Sequence, residues 1–165
     1  MSRGFTWMRK DEIILKQVKK NKSIVYGGQA IMAQIPDMFA RPTADWDILS
    51  KKPKKSARQL EKTLDKNAGG NFYYTTPSKF HKGTWKVYNV GSDNKKGTKD
   101  DIGVADFTKM KKLRTIQIRG VKYAHASEIM KDKRASLKDK QFEFRHAKDK
   151  DDLERIKLTR KLWRK

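Results

Sequence analysis

The sequence contains no cysteine. That excludes disulfides, thiolate nucleophiles and cysteine-based zinc sites. No apolar run approaches the roughly 18 residues of a membrane-spanning helix, and the stretch from Met1 to Lys10 lacks the apolar core of a signal peptide. The three histidines, His81, His125 and His146, are far apart and share no metal-ligand spacing. They read as ordinary polar residues. Repeats and low-complexity segments are absent. Acidic residues are scarce, 19 against 41 Lys and Arg, which leaves a net charge of +22. A chain of this kind is expected to be soluble and cytoplasmic, with no membrane partner, and to work on or near polyanions.

What is present suffices for one core. Of the 165 residues, 36% are apolar and 10% aromatic, which suits one domain over residues 1–165 with a C-terminal helical segment at about 126–165. The charge is not a detachable tail. Net charge is +3 over residues 1–50, +12 over 51–120 and +7 over 121–165. Any one lysine cluster reads as a solvated face. Together they predict a nucleic acid partner, RNA favoured, bound through phosphates with steep salt dependence.

The pattern predicts a helix over 10–21, then a strand at 23–26 ended by Gly27-Gly28, and a second helix from Gln29 to Ile35 that Pro36 stops. A loop spans 36–44. Residues 45–49 read as a strand. Pro53 opens a third helix, with Ala57, Leu60, Leu64 and Ala68 on one face and Gly69-Gly70 at its end. Strands follow at 72–75, 85–90 and 102–107. A hairpin is expected at 115–118 and 121–124 around Arg119-Gly120. Helices close the chain at 126–133 and 149–163. The fold class is α+β, in mixed α/β layers.

Asp45 and Asp47 are two apart on the predicted strand, so their carboxylates would share a face. At roughly 5–6 Å they would repel by about 3 kcal/mol at an effective dielectric of 20. A divalent cation removes that penalty, and Mg²⁺ favours carboxylate oxygens together with substrate phosphates. Asp106 is the third candidate, the one acid in the otherwise apolar segment 102–107. Asp100 and Asp101 compete with it but are expected to be solvent-exposed in a polar turn. Gly27 and Gly28 sit where a strand enters a helix, an arrangement that lets backbone approach a phosphate. An ordinary turn is the alternative there.

In order, Val25-Tyr26-Gly27-Gly28-Gln29-Ala30-Ile31 and Arg41-Pro42-Thr43-Ala44-Asp45-Trp46-Asp47-Ile48-Leu49 resemble the polymerase-β-like nucleotidyltransferase superfamily. The nearest likeness is to its minimal branch, poxvirus-type poly(A) polymerase catalytic domains and AbiEii-like transferases. The run Lys148-Asp149 to Asp152-Leu153 is similar to that branch too. The resemblance implies a nucleotidyltransferase-like mixed β-sheet with flanking helices, and Mg²⁺ (or Mn²⁺)-dependent transfer of a nucleotidyl group from an NTP. It implies that Gly27 and Gly28 hold the triphosphate, that Asp45, Asp47 and Asp106 bind metal, and that Asp106 helps activate the acceptor hydroxyl. Lys148 is a phosphate contact on the same ground. Arg41 and Thr43 either contact phosphate or order the turn. Sixteen residues separate Gly28 from Asp45, a longer loop than in many members.

Lys51, Lys52, Lys54 and Lys55 follow the acidic strand and are expected at the active-site rim. Tyr73, Tyr74, Phe80 and Trp85 lie among basic residues and read as core rather than base-stacking groups. Trp46, between the two aspartates, faces the opposite side and reads as core. Two other readings share these motifs. One is a catalytically silent basic nucleic-acid-binding or virion-associated protein of the same fold. The other is a toxin-like transferase that modifies tRNA or protein.

Overall fold

In the computed structural model, a seven-stranded mixed sheet carries helices on both faces. The structure describes residues 3–40 and 43–163, with side-chain surroundings for residues 10–40 and 43–161. Among the described residues there are five α-helices: α1 (Arg3–Lys20), α2 (Gly27–Gln34), α3 (Pro53–Ala68), α4 (Ala126–Leu137) and α5 (His146–Trp163). The strands are β1 (Ile24–Tyr26), β2 (Trp46–Ser50), β3 (Tyr73–Pro77), β4 (Trp85–Asn89), β5 (Ile102–Lys109), β6 (Thr115–Ile118) and β7 (Val121–Ala124). Their order across the sheet is β3-β4-β5-β2-β1-β7-β6.

The predicted elements are present, with shifted bounds. The first helix begins at Arg3 rather than at residue 10. The fourth runs on to Leu137 and the fifth starts at His146. The second starts at Gly27, so the two glycines belong to its first turn and not to a separate turn before it.

The middle of the sheet is set by burial. Strand β2 runs parallel to β5 and antiparallel to β1. Val25, Ile48, Val104, Ala105 and Phe107 on these strands are each no more than 2% exposed. Helix α3 brings Ala57, Leu60 and Leu64 onto this core, all no more than 2% exposed, as the i, i+3, i+4 spacing requires. Truncating a buried leucine such as Leu60 to alanine costs about 2–5 kcal/mol. Gly69 ends α3 with φ +79° and its N–H on Asp65 O, while Asp65 Oδ1 accepts from the N–H groups of Phe72 and Tyr73. The helix end is thereby tied to β3.

Two side chains show which helices cover the back of β2. The Trp46 indole donates to Asp11 of α1 at 3.1 Å. Ser50 Oγ and Ser56 Oγ of α3 are 2.6 Å apart. Trp46 is core, 5% exposed, as its position between the aspartates implies. The hairpin at the other edge turns on Arg119 (φ +50°) and Gly120 (φ +79°), the left-handed pair that a two-residue turn demands. His125 caps α4, its Nδ1 accepting from Ser127 N at 3.1 Å.

The last two helices are joined by buried charge. Lys133 Nζ of α4 lies 3.0 Å from Asp149 Oδ1 and 2.9 Å from Asp152 Oδ2 of α5. All three are buried, and Ser136 Oγ donates to the second Asp149 oxygen. At the far side of α5, Arg155 donates to Phe39 O at 2.8 Å and holds the 3₁₀ turn Asp37–Phe39 against the helix. That turn lies in the expanded loop.

Candidate active site

The front of the sheet carries a row of four side chains in register across four strands. Lys86 on β4 is opposite Asp106 on β5, Asp106 is opposite Asp47 on β2, and Asp47 is opposite Tyr26 on β1. Strand alternation turns all four toward one face. Asp47 and Asp106, far apart in sequence, become neighbours. Each is half-buried at the floor of a cleft of about 740 Å³, which Gly27 also lines.

Two like charges side by side need compensation. For Asp106 it comes from Lys86, whose Nζ is 2.8 Å from Oδ2. Burial works against the charge of Lys86, but the hydrogen bond and charge of Asp106 outweigh it, and its pKa stands above the ordinary lysine value. Among the described residues Asp47 has no such ion pair. Burial pushes its pKa up to about 6, and the charges of Asp106 and Asp45 push the same way. Arg145 and Lys148 oppose the rise. Arg145 lines the cleft. Lys148, exposed at the start of α5, acts on Asp47 through its charge without lining the cleft.

Asp45 is not on the strand. Strand β2 begins at Trp46, and Asp45 is exposed in the preceding turn. The reason lies in the partner strands. The β1 ladder ends at Tyr26 opposite Asp47, where the chain turns into α2, and the β5 ladder begins only at Trp46 opposite Ala105, so position 45 has a partner on neither strand. The turn is held instead by side chains. Gln29, 9% exposed, donates to the carbonyls of Thr43 (3.0 Å) and Asp45 (3.4 Å), and Thr43 Oγ1 donates to Asp45 Oδ1 at 3.0 Å. Asp45 thus stands beside the pair at the end of the strand.

The glycines are needed for two different reasons. Gly27 has φ +62°, and a Cβ there would lie 2.3 Å from Asp47 Oδ2. The first turn of α2 therefore passes directly over the carboxylate. A Cβ on Gly28 would meet the Thr43 side chain at 3.1 Å. Gly28 and Thr43 pack against each other, and neither lines the cleft. Arg41 lies outside the described residues.

The donor set suits a hard divalent cation. Asp47 and Asp106 offer only oxygen ligands, they stand in register, and burial together with the charges of Asp106 and Asp45 raises the pKa of Asp47. Asp45, Asp47 and Asp106 do not close to a common 4.8 Å spacing in this arrangement. Among the described residues, Asp93, Asp100 and Asp101 do. That acidic cluster lies in the loop between β4 and β5 and can hold a divalent cation by spacing. Its oxygens already have donors. Asp100 accepts from Thr98 Oγ1, Asp93 N and Ser92 Oγ, which holds its pKa down to about 2. Asp101 accepts from the Tyr74 hydroxyl and Gly97 N. Asp100 and Asp101 are half-buried, not solvent-exposed as expected. None of the three lines the cleft.

Several residues in or beside the cleft carry no sequence signal of their own. Lys86 is one lysine among many, and only register pairs it with Asp106. Arg145 lies three residues before Lys148, so the basic run near the start of α5 was the available clue. On the other wall the Tyr26 hydroxyl bonds Asp132 of α4, Lys111 Nζ reaches Asp132 at 3.2 Å, and that ammonium sits 5.2 Å from the Tyr26 ring centroid. Phe80, expected in the core, is 88% exposed at the cleft. It lies on the loop between β3 and β4, where no layer covers it. The lysines expected at the active-site rim, Lys51, Lys52, Lys54 and Lys55, do not line this cleft. They line a separate groove.

The sequence matches no protein-family model and no curated protein. Solved structures do share its fold. The Megavirus polyadenylate synthase superposes with a TM-score of 0.74 at 18% identity, over 94% of this chain and 32% of that one. JHP933 from Helicobacter pylori superposes with a TM-score of 0.56 at 15% identity, over 93% of this chain and 65% of that one. The chain thus spans about a third of the length of the viral synthase. The likeness to these two structures is one of fold.

Proposed function

We propose that the chain is a metal-dependent nucleotidyltransferase, moving a nucleoside monophosphate from an NTP to an acceptor hydroxyl on RNA. The observation that carries this reading is the register of Asp47 and Asp106 under Gly27, on the floor of a cleft that Arg145 also lines. Asp47 and Asp106 would hold Mg²⁺ or Mn²⁺, with Asp45 beside them. When bound, the cation supplies the positive charge that lets two carboxylates and a triphosphate occupy one site.

The chain's own residues divide the remaining work. Gly27 leaves room over Asp47 and opens α2, whose first N–H groups are free to face phosphate. Arg145 and Lys148 offset the negative charge of the triphosphate. Lys86 orients Asp106 through their 2.8 Å ion pair, so that its carboxylate can draw the proton from the acceptor hydroxyl. The acceptor oxygen bonds to the α-phosphorus, the bond from that phosphorus to its bridging oxygen breaks, and pyrophosphate leaves with the electron pair. Such a transfer depends on positioning and charge neutralisation, and needs no cysteine.

The test is incubation with each labelled NTP, Mg²⁺ or Mn²⁺, and total RNA. Label in RNA that disappears with Asp47→Asn supports the reading. Label in tRNA alone or in protein moves it to a toxin-like transferase. No label with any acceptor, alongside retained RNA binding, leaves the silent binding protein.

A further inference from the structure

Across the sheet from the cleft lies a second, larger groove of about 990 Å³. Lys51 and Lys52 stand at its start. Lys54, Arg58 and Lys62 follow at i, i+4 steps along the exposed face of α3, with Lys55 beside them. Lys109 at the end of β5 closes it, its Nζ donating to Lys51 O at 2.9 Å. No acidic side chain lines the groove, and among the described residues none of these seven cations is in an ion pair with a carboxylate. Like charges at i, i+4 destabilise a helix by a few tenths of a kcal/mol each. This stripe brings no internal compensation, so it suits an anion from outside.

The groove also has an aromatic wall. Trp85 is half-buried in it, with Lys54 Nζ 4.9 Å from the ring centroid. Strand alternation explains the placement: Lys86 points to the front face, where it meets Asp106, and Trp85, its neighbour on β4, points to the α3 side. A run of cations beside an aromatic ring matches a strand whose phosphates are continuous and whose bases are unpaired. A duplex keeps its bases stacked inside and has no use for the ring. Lys109 lines both groove and cleft, so the two sites meet at one residue.

We infer that this groove binds a single-stranded nucleic acid, holding it through phosphate contacts from α3 and a base stacked at Trp85. This deepens the transferase reading by giving the acceptor strand a place, and rests on that reading only for the word acceptor. Binding itself requires neither NTP nor metal.

The experiment is fluorescence anisotropy with a short labelled RNA strand, titrated between about 50 and 200 mM salt without NTP or metal. Replacing Lys54, Arg58, Lys62 and Lys55 together by Gln is expected to lower the salt slope by about 3, at roughly 0.7 for each lost contact on a single strand. Trp85→Leu is expected to weaken binding about tenfold, and Trp85→Phe, which keeps a ring and the packing, to weaken it far less. Asp47→Asn should bind the strand as the wild type does, and the α3 variant should bind NTP with Mg²⁺ unchanged by calorimetry. These two controls separate failure of the groove from failure of the transferase reading. A salt slope unaltered by the four substitutions overturns the proposal. So does a duplex or a poly-glutamate peptide bound as tightly as the single strand.

Discussion

Asp47 and Asp106 face each other across the parallel pair of β2 and β5, and Lys86 bonds only the second of them. Among the described residues Asp47 keeps no such cation, and burial, with the charges of Asp106 and Asp45, pushes its pKa up to about 6 against 3.8 ordinarily.

Replacing Asp47 with Asn therefore has opposite effects on activity and stability. Nucleotidyl transfer should be lost. Metal-free stability should rise, by up to about 3 kcal/mol at pH 7 and above. The folded pKa is raised, so the wild-type penalty is full above about pH 6 and fades as pH falls toward the unfolded value near 4. The stabilisation of the variant should fade over the same window. Urea unfolding of both proteins at pH 5 and pH 8 checks this. An equal difference at the two pH values contradicts it.

Lys86→Met strips Asp106 of its cation and leaves two carboxylates side by side. The melting temperature without metal should fall, and added Mg²⁺ or Mn²⁺ should recover more of it than in the wild type. Thermal melts with and without each ion read both effects. Recovery equal to that of the wild type would show that Lys86 does not share in balancing the pair.

Gly27→Ala forces a Cβ into a left-handed position, 2.3 Å from Asp47 Oδ2. A loss of about 1–3 kcal/mol is expected from backbone strain alone, together with loss of NTP binding. Gly28→Ala meets only Thr43 at 3.1 Å, and a movable side chain can yield. Its NTP affinity should change much less. Calorimetric titration of both variants with NTP ranks the two glycines.

Lys133→Met leaves Asp149 and Asp152 buried without their shared cation. A loss of about 3–5 kcal/mol is expected, with α5 freed from α4. Because Lys148 lies in the first turn of that helix and Arg145 immediately before it, NTP affinity should fall with it. Chemical denaturation gives the first quantity. Hydrogen exchange over residues 146–161 shows whether the loosening is local.

Much of the architecture was legible in the chain because short-range rules dictate it. The Ala57, Leu60, Leu64 stripe makes α3 and Pro53 and Gly69 bound it. Arg119-Gly120 makes the edge hairpin. Gly27-Gly28 marks the passage from strand to helix. The acidic motif likewise announced itself by type and spacing, although Asp45 fell outside the strand because neither β1 nor β5 pairs with it.

Pairing between distant segments is what tertiary structure decided. Nothing local places Asp106 beside Asp47, or Lys86 beside Asp106; both follow from the parallel and antiparallel registers of β5. The same holds for the α3 lysines. By sequence they follow the acidic strand, yet a strand and the helix after it can lie on different sides of a sheet. Here α3 packs on the back, and its cations line a groove opposite the cleft. Residue type and spacing determined which groups carry charge and which segments form helix or strand. The sheet order determined which charges meet, because hydrogen-bond register across strands depends on contacts that no single segment contains.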